Sequence, residues 1–155
     1  MDILKQWQRI QPLPMGSYIF SALLGRMIPY SGSMGAQIVE LEAGKVKIKL
    51  PDTRKIRNHL NSIHAVALMN LGELTTGITL YSALPKGFLG ILTHLEIDYH
   101  KKARGTLSTE LSLTADQKLF VDGEIKTIYF SIKNQKGEEV SSGKALWKVG
   151  TVKPK

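Results

Sequence analysis

The hydrophobic period of the chain changes along its length, and each change marks a new kind of element. Asp2 to Ile10 reads as a short helix, and Met15 to Ile28 as a second one, in which Ile19, Phe20, Leu23, Leu24, Met27 and Ile28 recur at helical spacing. Gln11-Pro12-Leu13-Pro14 separates the two and Pro29 ends the second, because proline brings no N–H to a helix interior. The period then drops to two. Ile38 and Leu41 lie in one run, and Val46, Ile48 and Leu50 alternate with Lys45, Lys47 and Lys49 in the next, with Ala43-Gly44 as the turn. This predicts a hairpin with one buried face and its lysines in solvent.

After Pro51 and the polar stretch Asp52–Ser62, apolar residues dominate from Ile63 to about Leu84, where Pro85 and Gly87 stop a long helix. Asn61 or Ser62 is the expected N-cap. Gly72 and Gly77 inside this helix each cost about 1 kcal/mol relative to alanine, so the helix backbone is expected to press against a sheet or a partner helix. Four further strands follow, over Gly90–Ala103, Thr106–Leu113, Gly123–Lys133 and Glu138–Val149, joined by short Gly-containing turns that imply antiparallel neighbours. Two strands, one buried helix and four strands make an α+β fold in which one antiparallel sheet curls around a long central helix. With 155 residues, one domain is expected: residues 1–32 as an N-terminal helical cover and 33–150 as the body.

Composition narrows the chemistry. The chain has no cysteine, which excludes disulfides, thiolate catalysis and Cys-based zinc or iron–sulfur sites. The histidines show no metal-ligand spacing with carboxylates, so no metal is expected. A formal charge of +8 attracts anions, but no aromatic-basic signature accompanies it, so nucleic acid is not the expected partner. Lys5 and Arg9 before the apolar stretch Met15–Leu24 imitate a targeting signal. Arg26, Pro29 and Tyr30 separate that stretch from any small-residue cleavage site, and it falls short of the roughly 20 apolar residues a membrane span needs. A cytoplasmic protein without a membrane span is the expectation.

The informative segment is Asn58-His59-Leu60-Asn61-Ser62-Ile63-His64-Ala65, followed by Leu71-Gly72-Glu73. It sets an amide side chain before a helix, a histidine at the first turn and a carboxylate nine residues beyond that histidine. A helix start offers unpaired N–H groups and the positive end of the dipole, which together can hold an oxyanion. A thioester carbonyl polarised there needs a base or nucleophile on its other side, and Glu73 is the candidate. In these residues the chain resembles the PaaI-like and 4-hydroxybenzoyl-CoA thioesterase branch of the hotdog superfamily. That branch carries Asn, a small residue three positions on, His-Gly-Gly, and an acid nine positions past the histidine. Asn58, His64 and Glu73 match in type and spacing, while Ala65-Val66 stand in place of Gly-Gly and Glu73 in place of the commoner Asp.

The resemblance implies a hotdog fold and acyl-CoA thioesterase activity, with no cofactor beyond the coenzyme A of the substrate. It implies that the Ala65 N–H polarises the carbonyl, Glu73 activates water or attacks, Asn58 holds the water or the carboxylate, and His64 shapes the helix start. Arg54, Lys55, Arg57, Lys101, Lys102 and Arg104 are the candidates to meet the phosphates of coenzyme A. Ala65 and Glu73 are eight residues apart, roughly 12 Å along one helix, so one helix cannot present both to one carbon. The expectation is therefore a homodimer, or a dimer of dimers, that shares each site between two antiparallel central helices. The alternative is a hotdog module that binds acyl-CoA or acyl-carrier protein without turnover, for which the Ala65-Val66 departure speaks. A hydratase or dehydratase of the same fold is a weaker match, since those enzymes set histidine and acid in another local pattern.

Overall fold

A computed structural model describes residues 2–114 and 118–151; Met1 of the expected N-terminal cover lies outside them. Helices α1 (Ile3–Ile10), α2 (Gly16–Met27) and the short α3 (Pro29–Gly32) precede strands β1 (Gln37–Glu42) and β2 (Lys45–Leu50). A 3-10 turn at Arg54–Ile56 leads into the long helix α4 (Ala65–Ala83). Strands β3 (Phe88–Tyr99), β4 (Leu107–Ser112), β5 (Ile125–Lys133) and β6 (Glu139–Thr151) complete the chain. All six strands form one antiparallel sheet in the order β1-β2-β4-β5-β6-β3.

The alternation read in β2 sets the register. Val46, Ile48 and Leu50 are completely buried, and Ile48 lies opposite Thr109 of β4. On the other face Lys45 and Lys47 pair with Glu40 of β1 and Glu110 of β4. These lysines are part of a cross-strand charge ladder on the solvent side.

The sheet wraps α4, which is buried on nearly every side over its middle and end. Its buried threonines are satisfied within the helix: Thr75, Thr76 and Thr79 donate to the carbonyls of Leu71, Gly72 and Thr75 one turn back. The two helix glycines have the expected cause. A Cβ on Gly72 would sit 2.3 Å from the Phe130 ring of β5, and one on Gly77 would sit 3.1 Å from the Trp147 ring of β6. No helix among the described residues is long and apolar enough to cross a membrane.

The strand read over Gly90–Ala103 is Phe88–Tyr99, Pro29 opens a short helix of its own, and the cap of α4 and the face of α2 also differ from the sequence reading. The N-cap of α4 is His64, not Asn61 or Ser62: its Nδ1 accepts from the Val66 N–H at 3.1 Å. Asn61 instead takes a left-handed conformation, φ 54°, in the turn before it. In α2 only Gly16, Phe20 and Leu24 are buried, while Ile19, Leu23, Met27 and Ile28 face outward. Phe20 packs edge-on against Trp7 of α1, with ring centroids 5.0 Å apart.

Candidate functional site

The start of α4 is built by the loop that leads into it. Asn58 Oδ1 accepts from the N–H groups of Leu60 and Ser62 at 2.9 and 3.2 Å, and its own N–H donates to the Ser62 carbonyl. These bonds close a tight turn, and Ile63 then donates to the Ala103 carbonyl and pairs with Arg57 in an isolated bridge. Asn58 is thus the brace of the helix start, with its side-chain oxygen committed. Within the first turn, Val66 N–H is held by His64 Nδ1, and the N–H groups of Ala67 and Leu68 reach the His64 carbonyl. The Ala65 N–H has no acceptor among the described residues, and Ala65 is exposed. That leaves one free donor at the positive end of a helix of 19 residues with no acid in its first turn. The Tyr99 hydroxyl, at the end of β3, donates to the Ala65 carbonyl at 3.1 Å and steadies the same residue.

Glu73 lies two turns further on, half-buried against a largely apolar cavity of about 300 Å³. Leu24 and Ile28 contribute to the cavity from the N-terminal helices, Leu74 and Ile78 from α4, and Trp147 from β6. Burial raises the Glu73 pKa above the ordinary carboxyl value, because a charge is poorly solvated there, and the neighbouring polar side chain of Ser31 partly opposes the rise. The Ser31 hydroxyl, on α3, donates to Asn70 Oδ1 at 2.8 Å. The place of Ser31 beside Glu73 is not evident from sequence: Pro29-Tyr30-Ser31-Gly32 reads as a helix stop, and Ser31 is 42 residues from Glu73.

Asn70 lines a second, smaller cleft of about 190 Å³ together with Lys55, Arg57, His64 and Ala67. The Ser31–Asn70 bond therefore joins the apolar cavity to a cleft with basic walls at the helix start. The other expected basic residues are distributed differently. Arg57 also binds Asp52 at 2.7 Å, and Asp52 accepts from the Gly105 N–H. Arg104 donates to the carbonyls of Leu60 and Asn61, and Lys101 pairs with Glu138 at 3.0 Å. Arg54, Lys55 and Lys102 are exposed and make no ion pair among the described residues. Among those residues no group of three or more His, Asp or Glu side chains is placed to hold a metal ion.

Within one chain, then, Lys55, Arg57 and His64 share a cleft, Glu73 faces another, and the Ala65 N–H stands apart from Glu73 along the helix. On β3, Thr93 donates to the Leu146 carbonyl of the neighbouring strand at 3.0 Å.

A family model described as Domain of unknown function (DUF4442) matches residues 16–149. No curated protein matches the sequence. Among solved structures, one structural-genomics protein superposes with a TM-score of 0.83 at 24% identity, covering 97% of this chain and 99% of its own. A Pseudomonas aeruginosa protein, described as of unknown function and a probable thioesterase, gives 0.76 at 22% identity, covering 90% and 97%. A thioesterase family protein from Silicibacter pomeroyi gives 0.70 at 13% identity, covering 85% and 96%. At such identities the likeness fixes the fold, which is the hotdog fold: one antiparallel sheet wrapped around one central helix.

Proposed function

The chain belongs to the DUF4442 family, and from that premise we propose that it hydrolyses acyl-CoA thioesters, as a member of the PaaI-like and 4-hydroxybenzoyl-CoA branch of its superfamily. The observation that carries this reading is Glu73: a half-buried carboxyl of raised pKa at an apolar cavity, on a helix whose first N–H is free. A carboxylate at such a place is a stronger base than one in water, and the largest apolar part of a fatty acyl-CoA is its acyl group.

In the proposed reaction the thioester oxygen accepts from the Ala65 N–H, which gains strength as negative charge develops on that oxygen. Glu73 takes a proton from water as the water oxygen bonds to the carbonyl carbon. The C–S bond then breaks, and the departing thiolate takes up the proton, giving a carboxylic acid and free coenzyme A. The Asn58 amide N–H₂, whose oxygen is already engaged in the turn, remains able to hold the water. Lys55 and Arg57, beside His64, would meet the phosphates, with Arg54, Lys101, Lys102 and Arg104 further out. The scheme uses no cofactor besides the coenzyme A of the substrate.

The active unit in this reading is a homodimer. The two sheet edges support it. On β1, Ile38 is covered by α2, whose Ser17 donates to the Ile38 carbonyl and whose Ser21 accepts from its N–H at 2.9 Å. On β3, at the other end of the sheet, the Tyr81 hydroxyl engages the Gly90 backbone near the start of the strand, and Ile91 and Tyr99 further along it are exposed. Long edge strands of this kind invite another strand. Pairing β3 with its symmetry mate would bring two α4 helices alongside, antiparallel, with the Ala65 of one near the Glu73 of the other.

A panel of acyl-CoAs with free-thiol detection tests the activity. Release of thiol that depends on Glu73 supports hydrolysis. The reading of a binding module without turnover draws on the Val66 N–H being occupied by His64, which leaves a single donor for the oxyanion; saturable binding with no thiol release from any chain length would establish it instead.

A further inference from the structure

The cavity beside Glu73 has a length as well as a chemistry. Glu73, Leu74, Gly77, Ile78 and Tyr81 occupy one stripe of α4, and all five face it. From Glu73 to Tyr81 the helix rises roughly 12 Å. An extended chain advances about 1.2 Å per bond, so about ten bonds fit between the carboxylate and the Tyr81 ring. The volume, about 300 Å³, lies at the small end of ligand cavities. Ile3 of α1 and Leu24 of α2 join Leu74, Ile78 and Trp147 as walls, each under a tenth exposed. Apart from Glu73 and Ser31 at one end, the walls offer an entering group nothing but hydrocarbon and ring faces, so a polar acyl group would lose its water without replacement.

Two features make Tyr81 a stop. Its hydroxyl donates to the Gly90 carbonyl at 2.6 Å, which ties the side chain to β3, and its ring stands edge-on to Trp147 with centroids 6.4 Å apart. At the middle of the stripe Gly77 brings no side chain to the wall: a Cβ there would sit 3.1 Å from the Trp147 ring. The side chain of Ile28, partly exposed, stands at the rim.

We propose that this cavity is a gauge for saturated, straight acyl chains of about eight to ten carbons, walled by α1 and α2 and ended by Tyr81. The inference rests on the thioesterase reading only for where the thioester carbonyl sits, beside Glu73.

The test is a binding series with straight-chain S-alkyl-CoA thioethers from four to sixteen carbons, by calorimetry, with hydrolysis of the matching acyl-CoAs measured in parallel. In the wild-type protein each added methylene should tighten binding about fourfold until the cavity is full, and no further. Tyr81→Ala should move that break to longer chains and Ile28→Trp should move it to shorter ones; both positions are partly exposed, so both variants should fold. A break at the same chain length in all three proteins, or no dependence on length, overturns the gauge even if hydrolysis proceeds. A break that moves as stated, without hydrolysis of any acyl-CoA, upholds the gauge and removes the thioesterase reading. No binding of any thioether overturns both.

Discussion

Glu73 is held where its charge is disfavoured, and this gives it a signature that an ordinary surface glutamate lacks. Its folded-state pKa lies above the ordinary value of 4.5. Between those two values the folded protein binds more protons than the unfolded chain, so stability is greatest below the ordinary carboxyl pKa and falls as pH rises through the raised one. Glu73→Gln keeps the size and removes the charge. It should lower thioester hydrolysis at least about a hundredfold while raising the Tm at neutral pH, by about 2–4 °C for each kcal/mol relieved. The gain should vanish in acid, and calorimetric scans at two pH values would show it. Ser31→Ala removes the hydroxyl that opposes the rise, so the acid limb of the pH–rate profile should shift to higher pH; Ser31→Thr should bring it back. An unmoved limb would mean that Ser31 does not act on Glu73. The role proposed for Glu73 can be framed from sequence because Glu73 lies nine residues past His64, at a fixed spacing. The role of Ser31 cannot, because it depends on how a four-residue helix folds back on α4.

At the scale of elements, what could be read from the sequence is what the chain encodes by period. The alternation over Lys45–Leu50 fixes both the strand and its buried face, and the apolar run after Ser62 gives a helix enclosed by the sheet. Neither the cap of that helix nor the outward face of α2 follows from period. His64 caps through a ring nitrogen, an acceptor that preference scales place below Asn and Ser. In α2, apolar residues cover more of the helix surface than the core uses: Ile19 and Leu23 are 42% and 48% exposed beside a buried Phe20. The helix glycines make a quantitative contrast. Gly72→Ala gains about 1 kcal/mol of helix propensity, but its methyl would strike the Phe130 ring, and overpacking of this kind costs about 1–3 kcal/mol. A lower urea midpoint is expected. Gly77→Ala meets Trp147 less closely and should leave the midpoint nearer wild type, while its methyl narrows the space beside Glu73 and slows hydrolysis. Equal urea midpoints for the two variants would show that Gly72 is not pressed on the sheet as described.

At the scale of the whole molecule, a single chain separates the two groups its proposed chemistry requires. The free N–H of Ala65 and the carboxyl of Glu73 are on one straight helix, roughly 12 Å apart along its axis, and a glutamate side chain cannot span that gap. The covered β1 edge and the exposed residues of the β3 edge strand indicate where a second copy would join, and the Tyr99 bond to Ala65 ties that edge to the helix start. None of this pairing is visible in the order of residues, which gives the spacing of Ala65 and Glu73 but not which strands form the edges. The most direct measurement is complementation between two inactive variants, Glu73→Gln and Asn58→Ala, refolded together in equal amounts, with subunit exchange verified by native mass spectrometry. Random pairing makes about half the dimers mixed, and each mixed dimer has one intact site of two. About a quarter of wild-type thioesterase activity should return, whereas verified exchange with no return of activity would contradict a site shared between two chains.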